Sequence, residues 1–298
     1  MKNCKIALNW NASLGESPRW HPKEKMLYWV DIDRSMLHRF DPATGHNQTM
    51  RLDHPAGCFA FTGDGGFLLA MKDGFSILDR WEGTLRPHGD QIFSGRPHLR
   101  FNDGRTDPAG RFWAGSVDME KRDHDAALYC LEADGSIRLI QNAMLTCNGA
   151  AFDAAGRRFF HADTPSHAIR SYDADPATGT LSNERILHQL PLGRGRPDGG
   201  SVDAEGHYWS ALFDGGRVVR LSPDGKIVDT VALPVTRPTM IAFGGEDLRT
   251  AYVTTARKGL SDDQVAKEPL AGSIFSFRVK TPGLPETPYL VNPAGVPD

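Results

Sequence analysis

A turn of the form Asp-x-x-Gly, running into large apolar residues, recurs along this chain, and few folds can accommodate such a repeat. Strict copies are Asp107–Gly110 before Phe112 and Trp113, Asp153–Gly156 before Phe159 and Phe160, and Asp203–Gly206 before Tyr208 and Trp209. Looser copies begin at His21, Thr62 and Gly244. Successive anchors stand 41, 45, 46, 50 and 41 residues apart. A period of that size, built from short apolar strands and Gly/Asp turns, predicts propeller blades. Each copy is a small antiparallel sheet that cannot bury its faces alone, whereas six packed around an axis can. The predicted fold class is all-β, a six-bladed β-propeller occupying one domain over residues 1–298.

The rest of the chain agrees with that reading. The turn Asp41-Pro42-Ala43-Thr44-Gly45 returns as Asp175-Pro176-Ala177-Thr178-Gly179, with Asp, Pro and Gly in the places a tight turn favours. Apolar residues recur with period two or in short runs, and no long 3.6-residue pattern is present. Residues 27–31 and 36–40 read as strands of the first blade. Residues 4–10 alternate weakly, and we expect them to pair with the C-terminal region so that no blade keeps an open edge. The polar stretch 256–270 reads as a surface loop with one helical turn. The proline-rich segment after Lys280 reads as a tied-down or frayed extension.

Composition narrows the partners. A formal net charge of −3 and a sequence pI near 6.4 give no basis for nucleic-acid or anionic-membrane binding. The N-terminal residues lack the apolar stretch of a signal peptide, and no run approaches the length of a membrane span. Four scattered cysteines without a C-x-x-C pair read as free thiols in a reducing compartment. A cytoplasmic location is the resulting expectation; oligomeric state is left open.

Stepping back five residues from each anchor gives Glu16, Gly57, Asn102, Asn148, Asp198 and Thr239. Equivalent positions in successive blades form a ring, and positions just ahead of a blade's first turn lie near the central channel. Singly, Asn148-Gly149 or Asp198-Gly199 reads as an ordinary turn. Four carboxylate or amide side chains at one offset require a further reason, because unpaired charge beside a narrow channel is costly. Glu16, Asn148 and Asp198, with Asn102 as a fourth group, predict a site for one divalent metal ion at the channel. Hard oxygen donors suit calcium, magnesium or manganese and tolerate zinc or iron.

Four segments together, Leu14-Gly15-Glu16-Ser17-Pro18-Arg19-Trp20, Arg100-Phe101-Asn102-Asp103-Gly104, Asn148-Gly149 and Arg196-Pro197-Asp198-Gly199-Gly200, resemble the senescence marker protein / gluconolactonase / regucalcin family. The resemblance spans residues 14 to at least 245 with the motifs in order. It implies a six-bladed propeller holding a divalent cation through Glu16, Asn148 and Asp198. It also implies substrate-side roles for Arg100, Asn102 and an acid after the Ala114-Gly115-Ser116 strand, which falls at Glu120, with Asp118 as the other candidate. The implied reaction is metal-dependent opening of a sugar lactone to the aldonic acid. Asp198, as a ligand touching the attacking water, is the candidate general base.

Two other readings use the same residues. A related metal-dependent arylesterase or phosphotriesterase would favour an apolar pocket rim. A non-enzymatic calcium-binding or scaffold propeller would keep its function without the metal ligands. Arg105 and Arg111 read as surface ion pairs. His98 and His161 lack the ring offset and read as packing or rim residues, and Arg194 sits in a Gly-rich loop that could overhang the pocket.

Overall fold

The computed structural model describes residues 4–291. Strand β1 (Lys5–Leu8) is followed by six groups of strands in chain order. The first blade contains β2 (Gly15–His21), β3 (Met26–Asp31), β4 (Met36–Phe40) and β5 (Asn47–Arg51). The second holds β6 (Ala56–Phe61), β7 (Phe67–Met71), β8 (Phe75–Leu78) and β9 (Leu85–His88). The third holds β10 (Leu99–Thr106), β11 (Phe112–Asp118), β12 (Ala126–Leu131) and β13 (Ile137–Met144). The fourth holds β14 (Cys147–Phe152), β15 (Arg158–Asp163), β16 (Ala168–Ala174) and β17 (Leu181–Gln189). The fifth holds β18 (Arg196–Val202), β19 (Tyr208–Phe213), β20 (Arg217–Leu221) and β21 (Ile227–Ala232). The last holds β22 (Pro238–Gly244), β23 (Thr250–Thr255) and β24 (Ile274–Arg278), and β1 pairs antiparallel with β24 as its fourth strand. This is an all-β six-bladed propeller.

Burial grades outward along each blade. Inner strands such as β6 and β14 are buried at every position, because both faces and the axis side are covered. Outer strands such as β17 and β21 are largely exposed. The core is accordingly divided among the seams between neighbouring blades. Tyr28, Val30, Phe59 and Leu69 fill one seam, Phe75, Phe101 and Phe112 the next, and Trp113, Phe152 and Phe159 the one after.

The aspartate of the repeated turn does more than turn the chain. One carboxylate oxygen of Asp107 accepts the backbone N–H groups of Ala109 and Arg111 at 2.9 and 3.0 Å. The other accepts Arg111 Nε at 2.7 Å and the Trp113 indole at 3.0 Å. Asp203 repeats the pattern with Glu205, His207, Trp209 and Arg220. Gly110 and Gly206 close these turns at φ of 88° and 77°, a region that residues with a Cβ rarely enter. Arg111 is therefore buried in an ion pair with Asp107, and Arg105 is mostly covered in one with Glu286; neither is the surface pair expected from sequence.

The polar stretch carries one short helix, α1 (Asp262–Lys267), whose N-terminus has a capping box between Ser261 and Gln264. No helix among the described residues is long and apolar enough to cross a membrane. Beyond Val279 the chain straps across the face that carries the Asp-x-x-Gly turns. Gly283 bridges to Asp203 and Tyr289 to Thr62, and Tyr289 is fully buried with its hydroxyl donating to the Glu132 carbonyl at 2.6 Å. Residues 292–298, the end of the extension expected after Lys280, lie outside the described residues.

Asp107→Ala removes one member of a buried charge pair and strands the Arg111 guanidinium, so it is expected to cost about 3–5 kcal/mol of stability. Among the described residues the Asp153 carboxylate accepts only the Arg157 and Arg158 backbone N–H groups, and Asp153→Ala is expected to cost about 1–2 kcal/mol. Denaturant unfolding of both variants checks the ranking; equal losses would contradict the role given to the carboxylate.

Candidate functional site at the propeller axis

Each inner strand runs from the axis ring to its turn over five residues, about 3.3 Å apiece, so the ring and the turns lie at opposite ends of the channel. All six ring positions fall inside inner strands. In every blade the pairing of first and second strands shifts register there: between Glu16 and Arg19, Ala56 and Cys58, Phe101 and Asp103, Asn148 and Ala151, Pro197 and Gly200, and Pro238 and Met240. Such bulges re-aim a side chain out of the sheet.

A cavity of about 230 Å3 opens at this end, bordered by Glu16, Arg100, Asn102, Asn148 and Asp198. Five of the six site residues expected from sequence thus meet around one space. Glu120 does not border it. Its side chain is exposed on the loop after β11, 3.7 Å from the Arg122 guanidinium, while its neighbours Met119 and Lys121 line the cavity. Asp118 is not available either: it is buried, and it accepts the backbone N–H groups of Glu120, Lys121, Arg122 and Asp123 at 2.9–3.3 Å.

A directed hydrogen-bond chain links three blades across the ring. Arg100 Nη1 donates to Asn102 Oδ1 at 3.0 Å. Asn102 Nδ2 donates to Asn148 Oδ1 and to the Cys147 carbonyl, both at 3.0 Å. Asn148 Nδ2 donates to Thr164 Oγ1, and that hydroxyl to the Pro197 carbonyl, both at 2.8 Å. A guanidinium that can only donate stands at one end and a carbonyl that can only accept at the other, so both amides are held in one orientation. Asn148 Oδ1 keeps a second lone pair for the cavity. Thr164, in the short 3-10 turn after β15, carries no repeat signal in the sequence.

The carboxyls are far from their ordinary state. Burial, then the charges of Asp198 and Asp103, hold the Glu16 carboxyl well above the usual range. Burial, then Asp103, does the same to Asp198. Asp103, which the sequence reading passed over, is itself raised by burial, against the pull of Arg19 and Arg105. Its oxygens accept the Gly104 and Ala150 N–H groups at 2.7 and 3.1 Å. Among the described residues neither Glu16 nor Asp198 has a lysine or arginine within ion-pair distance. Two carboxylates that Arg100 and Arg196 only partly offset, and an amide oxygen, without nitrogen or sulfur donors, fit a hard divalent cation.

The remaining candidates sort differently. His98 pairs with Asp125 at 3.0 Å. His161 stacks on Phe159 and is fully buried, which pushes its imidazole down to about 3. Neither histidine nor Arg194 borders the cavity. Asp203, Glu205 and His207 cluster on the opposite face, where Arg220 already lies 2.7 and 2.8 Å from the two carboxylates. Further cavity residues without a sequence signal are Thr146, Phe213 and Lys258, and Arg196, present in the sequence only as the first residue of a family motif, borders it too.

Residues 14–257 match the family model described as SMP-30/Gluconolactonase/LRE-like region. The chain is 42% identical to a 6-deoxy-6-sulfogluconolactonase of Pseudomonas putida, over 92% of this chain and 94% of that protein. It is 36% identical to regucalcin of Xenopus laevis, over 89% of this chain and 90% of that one. The crystal structure of a calcium-binding protein, regucalcin, from Agrobacterium tumefaciens matches with a TM-score of 0.92 and 27% identity, covering 97% of both chains.

A carboxyl held above its unfolded pKa stabilises the fold while protonated, below about pH 4, and that contribution is lost as the pH rises through the raised value. The metal-free protein is therefore expected to lose unfolding temperature relative to Asp198→Asn as the pH climbs, the two curves converging at low pH. A difference that stays flat from about pH 4 to about pH 8 would count against the strained carboxyl pair.

Proposed function

Because the chain belongs to the SMP-30/gluconolactonase/LRE-like family, we propose that it is a lactonase, a carboxylic ester hydrolase that opens a sugar lactone to its aldonic acid with one divalent metal ion at the axis ring. The observation that carries this reading is the pair of buried carboxyls without an ion-pair partner among the described residues, Glu16 and Asp198, facing the Arg100–Asn102–Asn148 chain across one cavity. A sugar lactone presents an ester carbonyl flanked by hydroxyls, and the cavity offers matching groups for both.

Glu16, Asn148 and Asp198 would hold the ion. When bound there, a divalent cation supplies polarisation of the ester carbonyl and a lowered pKa for a coordinated water. Arg100 and Asn102 hydrogen-bond the sugar hydroxyls or the ring oxygen and orient the carbonyl. Asp198 takes a proton from water as the water oxygen bonds to the carbonyl carbon. It returns that proton to the ring oxygen as the ester C–O bond breaks, leaving the hydroxy acid. The hydrogen-bond chain that runs through Thr164 to the Pro197 carbonyl keeps the Asn102 and Asn148 amides from rotating during the reaction. Calcium, zinc, manganese, magnesium and iron are all compatible with the donor set.

Leu14, Val117, Met119 and Phe213 give the cavity an apolar side that an aryl ester would also use, so aryl acetates belong in the assay. Chelated protein is expected to open aldonolactones only after metal is restored, above the spontaneous rate. Asp198→Ala is expected to lower that turnover by at least about a hundredfold while keeping its fold by circular dichroism. Metal-restored turnover that survives in folded Asp198→Ala would remove the assignment of the base. No turnover with any metal and lactone would remove the lactonase reading.

A further inference from the structure

The cavity is electrically two-ended. The Glu16 and Asp198 carboxyls and four basic side chains line it: Arg100 is buried beside the ring, while Lys121, Arg196 and Lys258 are exposed or half-buried and form its rim. Lys258 is matched by Asp33 at 2.7 Å. Arg196 shares Asp214 with Arg237, at 2.5 and 2.7 Å, so one carboxylate there answers two guanidiniums. Arg100 and Lys121 have no carboxylate within ion-pair distance among the described residues. The rim is thus left cationic once these ion pairs are counted.

Lys121 is not there by default. The loop that presents it is built on Asp118, whose buried carboxylate gathers four successive backbone N–H groups. Burial pushes that carboxyl up, but these donors pull it below its ordinary range. Lys121 itself adopts φ of 53°, a left-handed conformation that a side-chain-bearing residue occupies at some cost. The loop thereby turns Glu120 outward to Arg122 and Lys121 inward over the cavity beside Met119. Where the family resemblance implies an acid, the structure sets a cation.

We propose, on the basis of the lactonase reading above, that the substrate is a lactone carrying an anionic group at the end remote from the ester, recognised by Lys121 together with Arg196. A carboxylate, a sulfonate and a phosphate monoester share the required chemistry: oxygen acceptors and a negative charge that compensates the rim. A neutral lactone leaves the lysine without a counter-charge and one carboxylate still shared between two guanidiniums, and discrimination against it follows. Asp118 acts as a positioning residue, holding the loop that aims Lys121.

The test uses metal-reconstituted protein and four lactones: neutral glucono-δ-lactone, glucarolactone, 6-deoxy-6-sulfogluconolactone and 6-phosphogluconolactone. At least one anionic lactone is expected to exceed the neutral one about tenfold or more in kcat/KM, with the advantage shrinking as salt is raised; the three arms identify which anion it is. Lys121→Gln is expected to cut the anionic-to-neutral ratio about tenfold through KM, and Lys121→Arg to restore most of it, a pattern that loss of folding would not produce. Asp118→Asn should move the ratio the same way. A neutral lactone that matches or beats all three anionic ones overturns the proposal, as does a ratio that Lys121→Gln leaves in place. Should no lactone be opened, the lactonase reading fails separately, and calorimetric titration of the same panel still decides the anion preference: equal Kd values overturn it, and tighter anionic binding lost in Lys121→Gln upholds it.

Discussion

Six inner strands must share one axis, and almost everything else about this molecule follows from that crowding. Gly57 shows how little room remains: a Cβ there would lie 2.2 Å from the Phe101 carbonyl oxygen and 2.7 Å from the Asn102 nitrogen. Strand β10 can approach because its neighbour contributes no side chain. At the same level each blade carries a register shift between its first two strands, which releases a residue from the pleat and turns it toward the channel. Polar groups delivered this way leave bulk water behind, so each one requires a partner. The hydrogen-bond chain from Arg100 through Asn102, Asn148 and Thr164 supplies partners for the amides, and Thr239 satisfies its hydroxyl on the Gly15 carbonyl and Thr254. Glu16 and Asp198 receive none of comparable strength, and that deficit makes the ring chemically useful.

The two ends of the channel solve opposite problems. At the turn end, Arg19 and Arg105 both approach Glu286 of the C-terminal strap, at 3.8 and 2.8 Å. Arg105 also donates to the Gly200 carbonyl. The strap closes that end and leaves a smaller space of about 190 Å3 beneath it, bordered by Arg105, Thr106, Ser201 and Glu286. At the ring end the cavity is bordered by the Glu16 and Asp198 carboxyls and by basic side chains. Asp103 lies between the two, raised by burial yet drawn down by Arg19 and Arg105. Charge therefore alternates along the channel from the strap to these carboxyls and then to the rim. On the function proposed above, a cation would complete that series beside Glu16 and Asp198, and an anionic substrate group would complete it at the rim.

Much of the site was legible in the sequence because a repeat converts a linear offset into a position in space. A residue five places before an anchor occupies the same place in every blade, so Glu16, Asn102, Asn148 and Asp198 could be brought together without knowing any distance. Residues outside that offset carried no such information. Thr164 follows a second strand, not a first, and Lys121 sits on a loop whose path depends on the backbone N–H groups that Asp118 captures. Reading the loop by family resemblance pointed to Glu120, whose neighbours Met119 and Lys121 border the cavity while its own side chain faces Arg122. Arg105 and Arg111 look like surface arginines in a linear reading. Their burial comes from the strap and from a turn of the neighbouring blade, whose Pro176 and Ala177 carbonyls accept from Arg111.

By itself, the sequence determined the blade period, the all-β class and the identity of the groups on the axis, since local turn chemistry and a regular offset are properties of neighbours along the chain. Only the tertiary structure decided how those groups are charged, which way the amides point and which cations overhang them. Those properties depend on desolvation, on directional hydrogen bonds and on contacts between segments as far apart as Arg105 and Glu286, and all three exist only once the ring of blades has closed.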